Sequence, residues 1–203
     1  MESRDDNSPG HKIMIRAAQA DDSAELAVLA DAATRRLTAW LWDQQASEGQ
    51  SSFEVGREAI RSDATHLSYH KNWDVAELDR SVAGGLNSYK LELPSTAVAD
   101  HLSLVLNPLT ELKAVAEGTW YVSVASVFPE HRGHGIGQAL LTHAATKATR
   151  AGVSQLTLIV ASFNTNALRL YLRVGFEEWQ RRPFVPFPGS DPKGDWILMA
   201  KDA

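Results

Sequence analysis

The amino-acid sequence predicts an α/β fold with a mixed β-sheet, on three observations. Apolar patterns of period 2 and period 3.6 alternate along the chain. The pair Asp79-Arg80 sits between two strand-like runs and makes them an antiparallel hairpin. A strand–helix–strand unit over 120–161 must close with parallel pairing, because parallel strands need a crossover of that kind. The chain has 203 residues; at about 150 residues per domain, one elaborated domain over 12–203 is expected. Residues 1–11 read as a flexible tail.

The elements follow in order. Ile13-Met14-Ile15-Arg16 is a short strand. Asp22 with Glu25 three residues on has the pattern of a capping box. Behind it Leu26, Leu29, Ala30, Ala33, Leu37, Trp40 and Leu41 recur at helical spacing, predicting one helix over about 22–45. After a break at 49–52, Phe53 to His66 reads as a second helix with Val55, Ala59 and Ile60 on one face. The hairpin strands lie near 68–78 and 81–91, and Gly84-Gly85 marks a bulge or a close backbone approach. Residues 96–117 read as helical pieces broken at Asn107-Pro108. Trp120 to Phe128 alternates, with Val122, Val124, Ser126 and Phe128 assigned to one face. Gly137 to Arg150 is a helix with Leu140, Leu141, Ala144, Ala145 and Ala148 inward and Gly152 as its stop. Leu156 to Ala161 is a strand buried on both faces. Thr165 to Val174 is a helix closed by Gly175, and 176–185 and 195–201 are strands joined by a Pro/Gly loop.

Composition removes several chemistries. There is no cysteine, so disulfides, thiol nucleophiles and thiolate metal sites are excluded. His66 and His70 are four residues apart, but their span crosses an expected helix end and no His-Glu-x-x-His occurs, so no metal is expected. Met1 to Lys12 lacks an apolar stretch, and no run is long enough to span a membrane; a cytoplasmic location is expected. Net charge is 20 − 25 = −5, which argues against nucleic acid as a partner. The charge is unevenly spread. Residues 130–182 hold seven Lys/Arg and three Asp/Glu, a local +4 that leaves −9 for the remainder.

That basic third contains an unusual turn. Between the strand ending at Val127 and the helix beginning near Gly137 stand Arg132-Gly133-His134-Gly135-Ile136-Gly137-Gln138. Glycines at every second position let the backbone approach a ligand and turn its N–H groups inward. The first turn of the helix adds unpaired donors and the positive end of its dipole. The combination suits a diphosphate. The Rossmann fingerprint fails because Gln138 stands where its third glycine belongs, and no Walker loop is present.

Arg132-Gly-His-Gly135-Ile-Gly137 resembles the R-x-x-G-x-G acyl-CoA pyrophosphate loop of the GNAT acetyltransferase superfamily. Asn164-x-x-Ala167-x-x-Leu170-Tyr171-x-x-x-Gly175-Phe176 resembles that family's second hallmark. Ile15-Arg16-x-Ala18-x-x-x-Asp22 and the hairpin Val75 to Gly84 resemble its opening elements, so the likeness covers about 12–201.

The resemblance implies a GNAT-type mixed sheet, splayed at its centre and flanked by helices. It implies acetyl-CoA as cosubstrate, held between the strands 120–127 and 156–161. The pantetheine would pair with backbone at Ala125 and Val127. Residues Arg132, Gly133, His134, Gly135, Ile136, Gly137 and Gln138 would hold the pyrophosphate, with Asn164, Ala167 and Tyr171 lining the cofactor. The Val127 backbone N–H would steady the oxyanion, and Tyr171 would protonate the departing thiolate as general acid. The implied activity is transfer of an acetyl group to a primary amine by direct attack, on a small-molecule acceptor. A lysine or N-terminal protein acetyltransferase and a non-catalytic acyl-CoA sensor are the alternatives. The strand 120–127 carries Ser123 and Ser126 but no carboxylate, which leaves the general base open between a serine relay and Asp74. Trp40, Trp42, Phe184, Phe187 and Trp196 are candidates for the acceptor wall, and the loop over 183–195 is a candidate lid. The resemblance allows a homodimer and assigns no partner beyond acetyl-CoA and the amine.

Overall fold

The computed structural model describes residues 12–93, 100–190 and 193–203; the expected tail over 1–11 lies outside them. Seven strands form one sheet in the order β1-β2-β3-β4-β5-β7-β6. They are β1 (Met14–Ala17), β2 (Trp73–Leu78), β3 (Ser81–Lys90), β4 (Trp120–Val127), β5 (Gln155–Ala161), β6 (Glu177–Pro183) and β7 (Asp195–Asp202). The β4–β5 pair is parallel and every other neighbouring pair is antiparallel, so the predicted mixed α/β sheet is observed. The helices are α1 (Ser23–Ala33), α2 (Leu37–Asp43), α3 (Ser52–Arg61), α4 (Asp100–Val115), α5 (Ile136–Arg150) and α6 (Thr165–Arg173).

Two layers of apolar packing sandwich the sheet. On one face α5 and α6 bury Leu140, Leu141, Ala144, Ala148 and Tyr171 against Val122, Leu156, Leu158 and Met199. On the other, α1 and α3 bury Leu26, Leu29 and Ile60 against Trp73, Val75 and Val124. Farther along that second face, Leu37 of α2, Leu112 of α4 and Ala116 just after it pack against Tyr121, Trp196 and Leu198.

The Asp79-Arg80 turn closes the β2–β3 hairpin with both residues at positive φ, 51° and 68°, as a two-residue hairpin loop requires. Gly84 is a close approach: a Cβ there would lie 2.7 Å from the Ser126 carbonyl oxygen. A bulge stands next to it, since Ala76 faces Gly84 while Glu77 faces Val82.

Several expectations are corrected. The single helix over 22–45 is two helices, α1 and α2, parted where Arg35 and Arg36 take φ values of 54° and 71°. Both helices bury a face against the same layer, so the apolar period runs on through a break that no Gly or Pro announces. The capping box lies one turn earlier than predicted. Asp22 accepts from the Gln19 N–H at 2.7 Å and from Arg16 at 2.8 and 2.9 Å, instead of capping α1. The second helix ends at Arg61, and its true box is Ser51 with Glu54, outside the predicted start. Asn107-Pro108 does not break α4. Proline removes the bond to the carbonyl of Leu104, and Leu104 lies on the exposed side of the helix while Leu112 is fully buried.

The predicted alternation of β4 also fails at one point. Asn87 faces Val124 but Ser88 faces Val122, so Ser123 is an extra residue in a bulge. Val122 therefore packs beneath α5 and Val124 on the opposite face with Leu26 and Trp73.

Asp22 ties β1 to α1 through Arg16, which also bonds Glu77 of β2 at 2.7 Å. Burial works against the Asp22 charge, but the bonds from Arg16 and the Gln19 N–H outweigh it and hold the carboxyl below its usual range. A depressed carboxyl stabilises the fold above its unfolded pKa, and that contribution disappears as pH falls through its folded pKa. Asp22→Asn is expected to cost about 1–2 kcal/mol in urea titrations at neutral pH. The gap to the parent protein should close below about pH 4.

Candidate active site

The sheet opens in its middle. Trp120–Val122 pair with Leu156–Leu158, yet β4 continues to Val127 and β5 to Ala161 without further pairing. The opening begins where the Ser123 bulge sits. Backbone direction beyond it follows from register. Gly84 faces Val127, and the Phe128 N–H donates to the Ala83 carbonyl at 2.9 Å. That bond brackets a pair that exchanges no bonds of its own, so the N–H and C=O of Val127 turn away from β3 and toward β5. Ala125, two residues back, is oriented alike. Val127 and Ala125 thus aim backbone donors and acceptors into the cleft, and the Val127 carbonyl accepts from Arg132 Nε at 3.2 Å.

The glycine turn closes one end of this cleft. Gly133 and Gly135 have φ of 85° and 79°, conformations that side chains rarely adopt, and a Cβ at either would meet only open space. Gly137 is needed for contact instead, because a Cβ there would lie 3.0 Å from Leu170 of α6. Gly135 is the N-cap of α5, and no side chain caps the helix. The N–H groups of Ile136, Gly137 and Gln138 therefore have no intrahelical acceptor at the positive end of a 15-residue helix. Ile136 is fully buried and pins the helix start, while Arg132, His134 and Gln138 are exposed around it. His134 Nδ1 lies 3.2 Å from the His131 carbonyl, which stiffens the turn.

The second motif forms the far wall. Asn164 is the N-cap residue of α6, but its side chain does not cap the helix. Its Oδ1 accepts from Arg35 Nη2 at 3.0 Å, so the positive-φ corner between α1 and α2 reaches across to the end of β5. Ala167 packs toward the α5 layer. Tyr171 is buried beside Phe176, 5.8 Å between ring centres, and burial pushes its phenol up to about 12. It is fully protonated at neutral pH.

One cluster was not foreseen. Tyr89 and Tyr121 stand opposite each other on β3 and β4, with rings 5.9 Å apart. Tyr89 shares a hydrogen bond with Ser123, the bulge residue, and burial raises its phenol despite that bond. The half-buried Lys113 of α4 places Nζ 5.5 Å from the centre of the Tyr121 ring, and burial lowers its ammonium. The sequence carries no signal that pairs Tyr89 with Tyr121, because α4 separates β3 from β4 and the bulge at Ser123 sets their register.

Other candidates are placed elsewhere. Asp74 is bound beneath α5 by Lys147 at 2.7 Å and His143 at 3.3 Å, in the row of Leu86 and Ala125 but two strands from the cleft. Trp42 packs on Gly56 of α3. Phe184, Phe187 and Trp196 are buried, and Trp40 stacks on Phe187 at 5.4 Å. The loop bearing Phe184 and Phe187 is tied down by Phe184 N–H to the Gly194 carbonyl, 2.8 Å, and by Phe187 N–H to Ser190 Oγ, 2.8 Å. Charge partition along the chain is not charge partition in space: Lys147, Arg181 and Arg182 pair with Asp74, Asp195 and Glu111 of the acidic remainder. Among the described residues no group of three His, Cys, Asp or Glu could hold a metal ion, and no helix is long and apolar enough to cross a membrane.

A mixed sheet that opens between two parallel strands, with a glycine turn and an uncapped helix start at its mouth, defines the class of fold. The chain belongs to the GNAT acetyltransferase family, whose pattern matches residues 34–176. It is 37% identical over 76 residues to the ribosomal protein bS18-alanine N-acetyltransferase of Escherichia coli, covering 37% of this chain and 50% of that one. It is 38% identical over 72 residues to the streptothricin acetyltransferase of Streptomyces lavendulae, 34% of this chain and 38% of that one. The chain thus matches half or less of the length of these relatives. The fold is shared with the structure of yncA from Salmonella typhimurium with its cofactor acetyl-CoA, at TM-score 0.61 and 21% identity over 94% of both chains. An N-acetyltransferase from Staphylococcus aureus Mu50 gives 0.59 and 19%, over 93% of this chain and 100% of that one.

Gly135→Glu places a carboxylate and a strained backbone at the start of α5. It is expected to abolish acetyl-CoA binding in calorimetry; unchanged affinity would show that the turn does not hold the pyrophosphate.

Proposed function

We propose that the protein transfers an acetyl group from acetyl-CoA to a primary amine on a small molecule, by direct attack within a ternary complex. The observation that carries this reading is the backbone of Ala125 and Val127, turned away from β3 and toward β5 beside an uncapped helix start. The pantetheine arm binds as a partial strand against Ala125 and Val127. The pyrophosphate lies on the first-turn N–H groups of α5, with Arg132 exposed beside it. The Val127 N–H points at the thioester oxygen and stabilises the oxyanion as the amine adds.

Proton flow follows from the local chemistry. An amine of pKa about 10 is mostly protonated at neutral pH and must lose a proton before attack. Ser123 and Tyr89, already hydrogen-bonded, form a relay to water. A phenol raised by burial passes protons on without holding a negative charge. Asp74, engaged by Lys147 and His143, takes no part. Attack forms the N–C bond, collapse breaks the C–S bond and Tyr171 donates its proton to the sulfur; the nitrogen gives up its second proton as the amide forms, and the Tyr171 phenolate takes one back through solvent. A thiolate has pKa about 8.5 in water, and the dry site that raises Tyr171 raises it as well. No cysteine exists to carry the acetyl group, which agrees with direct transfer.

Acetyl-CoA binding without any CoA release across an amine panel would instead support the sensor reading. Release in the parent protein should fall by about 10²–10⁴-fold in Tyr171→Phe with acetyl-CoA affinity kept. Full activity in that variant would remove the general-acid role. Ser123→Ala and Tyr89→Phe should each lower kcat most at the acid end of the pH profile, where the amine proton is hardest to remove.

A further inference from the structure

From the structure we infer that the acceptor is an amine that also carries an acidic group, and that Lys113 of α4 holds that group. The inference rests on the proposed acetyl transfer and names the acceptor class for it. α4 lies on the face of the sheet opposite α5 and α6, where Leu112 packs with Tyr121 and Trp196. Lys113 stands in the last turn of that helix. A lysine there ordinarily reaches back to the free carbonyls and to water. Lys113 reaches inward instead, with Nζ 5.5 Å from the centre of the ring of Tyr121, which is itself buried.

That ring stands at the edge of the opening. Tyr121 pairs with Thr157 of β5, and the pairing of β4 with β5 ends one residue later, at Val122. On β3 its partner is Tyr89, whose hydroxyl bonds Ser123, the bulge residue where the strands part. Burial drives the Tyr121 phenol up, and the nearby Tyr89 and Tyr171 raise it further. Tyr171 belongs to α6, on the far side of the sheet, so the two faces come within electrostatic reach of each other through the opening. An acceptor that enters from the α4 side finds Lys113 beside Tyr121 and the Tyr89–Ser123 pair.

Among the described residues Lys113 has no counter-ion. Carboxylates of the neighbouring elements are engaged elsewhere: Glu111 with Arg182, Glu92 with Lys90, Asp195 with Arg181. Glu117, one turn after Lys113, is exposed. Burial lowers the Lys113 ammonium, and no neighbouring negative charge acts to raise it. A ring face offsets only part of what an ammonium loses on leaving water. An acidic group on the acceptor supplies the missing charge, and the ion pair then forms only when the acceptor is bound. A compact ammonium takes a carboxylate or a phosphonate alike, as a point charge. The same charge repels a second ammonium, so diamines and other polycationic acceptors are disfavoured.

The test compares CoA release by the full chain from matched acceptors: α-amino acids, their carboxamides and aminoalkylphosphonates, with a linear diamine as the cationic control. The quantity read is the acid-to-carboxamide ratio of kcat/KM, compared between variants so that the intrinsic reactivity of each amine cancels. Lys113→Met keeps the apolar stem and removes the charge. It should lower the ratio at least tenfold, through the KM of the acids, with carboxamide turnover and acetyl-CoA affinity kept. Lys113→Glu should reverse the preference toward the diamine. A lysine that only supported the fold would, on removal, slow every acceptor alike and leave the ratio where it was. An unchanged ratio in Lys113→Met, or a parent protein that takes the carboxamides or the diamine as readily as either acid, would overturn the inference. Calorimetry of the same acids with the acetyl-CoA-bound protein separates it from the reading it rests on. Binding that Lys113→Met abolishes, with no CoA release from any acceptor, would overturn acetyl transfer and uphold the acid site; no binding and no release would overturn both.

Discussion

The structure depends on one missing set of hydrogen bonds. β4 and β5 pair over three residues and then part, although both strands continue. Buried backbone N–H and C=O groups are seldom left unpartnered. Here the register with β3 makes the orientation unavoidable: whatever Val127 and Ala125 do not give to β3 must face the opening. The cleft is an unfinished sheet. In the proposed function, the pantetheine arm, with its amide groups, completes it.

Several features hold the opening apart. The Ser123 bulge uses one residue more on β4 than on β3, which re-aims the strand where the separation starts. Gly84 allows β3 to follow at van der Waals distance from Ser126. Ile136 and Leu140 wedge α5 beneath the β4 side, and Tyr171 with Phe176 fills the β5 side. Arg35, projected by two strained residues, bridges to Asn164 over the end of β5. Consecutive non-glycine residues at positive φ cost about 1–2 kcal/mol each. That strain bends the chain between α1 and α2 so that the guanidinium reaches the second motif.

The electrostatics are local. An excess of acid over the whole molecule coexists with a helix N-terminus that no side chain caps. Several of the basic residues near the motifs in sequence are consumed by carboxylates from other elements, Lys147 by Asp74 and Arg182 by Glu111. At the start of α5 the uncapped helix dipole stands with Arg132 exposed beside it. Tyr171, Tyr89 and Tyr121 are all driven toward the neutral phenol by burial.

By itself the sequence determined the mixed sheet, the hairpin turn, the parallel unit and the glycine turn ahead of α5. Each of these is written in a short-range rule: a period, a two-residue turn, or a glycine at a backbone position other residues avoid. Tyr171 and Asn164 were marked only by the resemblance of their motif to the second hallmark of the GNAT family. Only the tertiary structure decided the break at Arg35-Arg36, the survival of α4 through Pro108, and the pairing of Asp22 with Arg16. It alone showed that Val122 and Val124 lie on opposite faces and that Tyr89 reaches Ser123. These turn on φ angles and on contacts between residues distant in the chain. A bulge inverts every side chain beyond it relative to a regular strand. It is set by how two strands count against each other, which no single strand records.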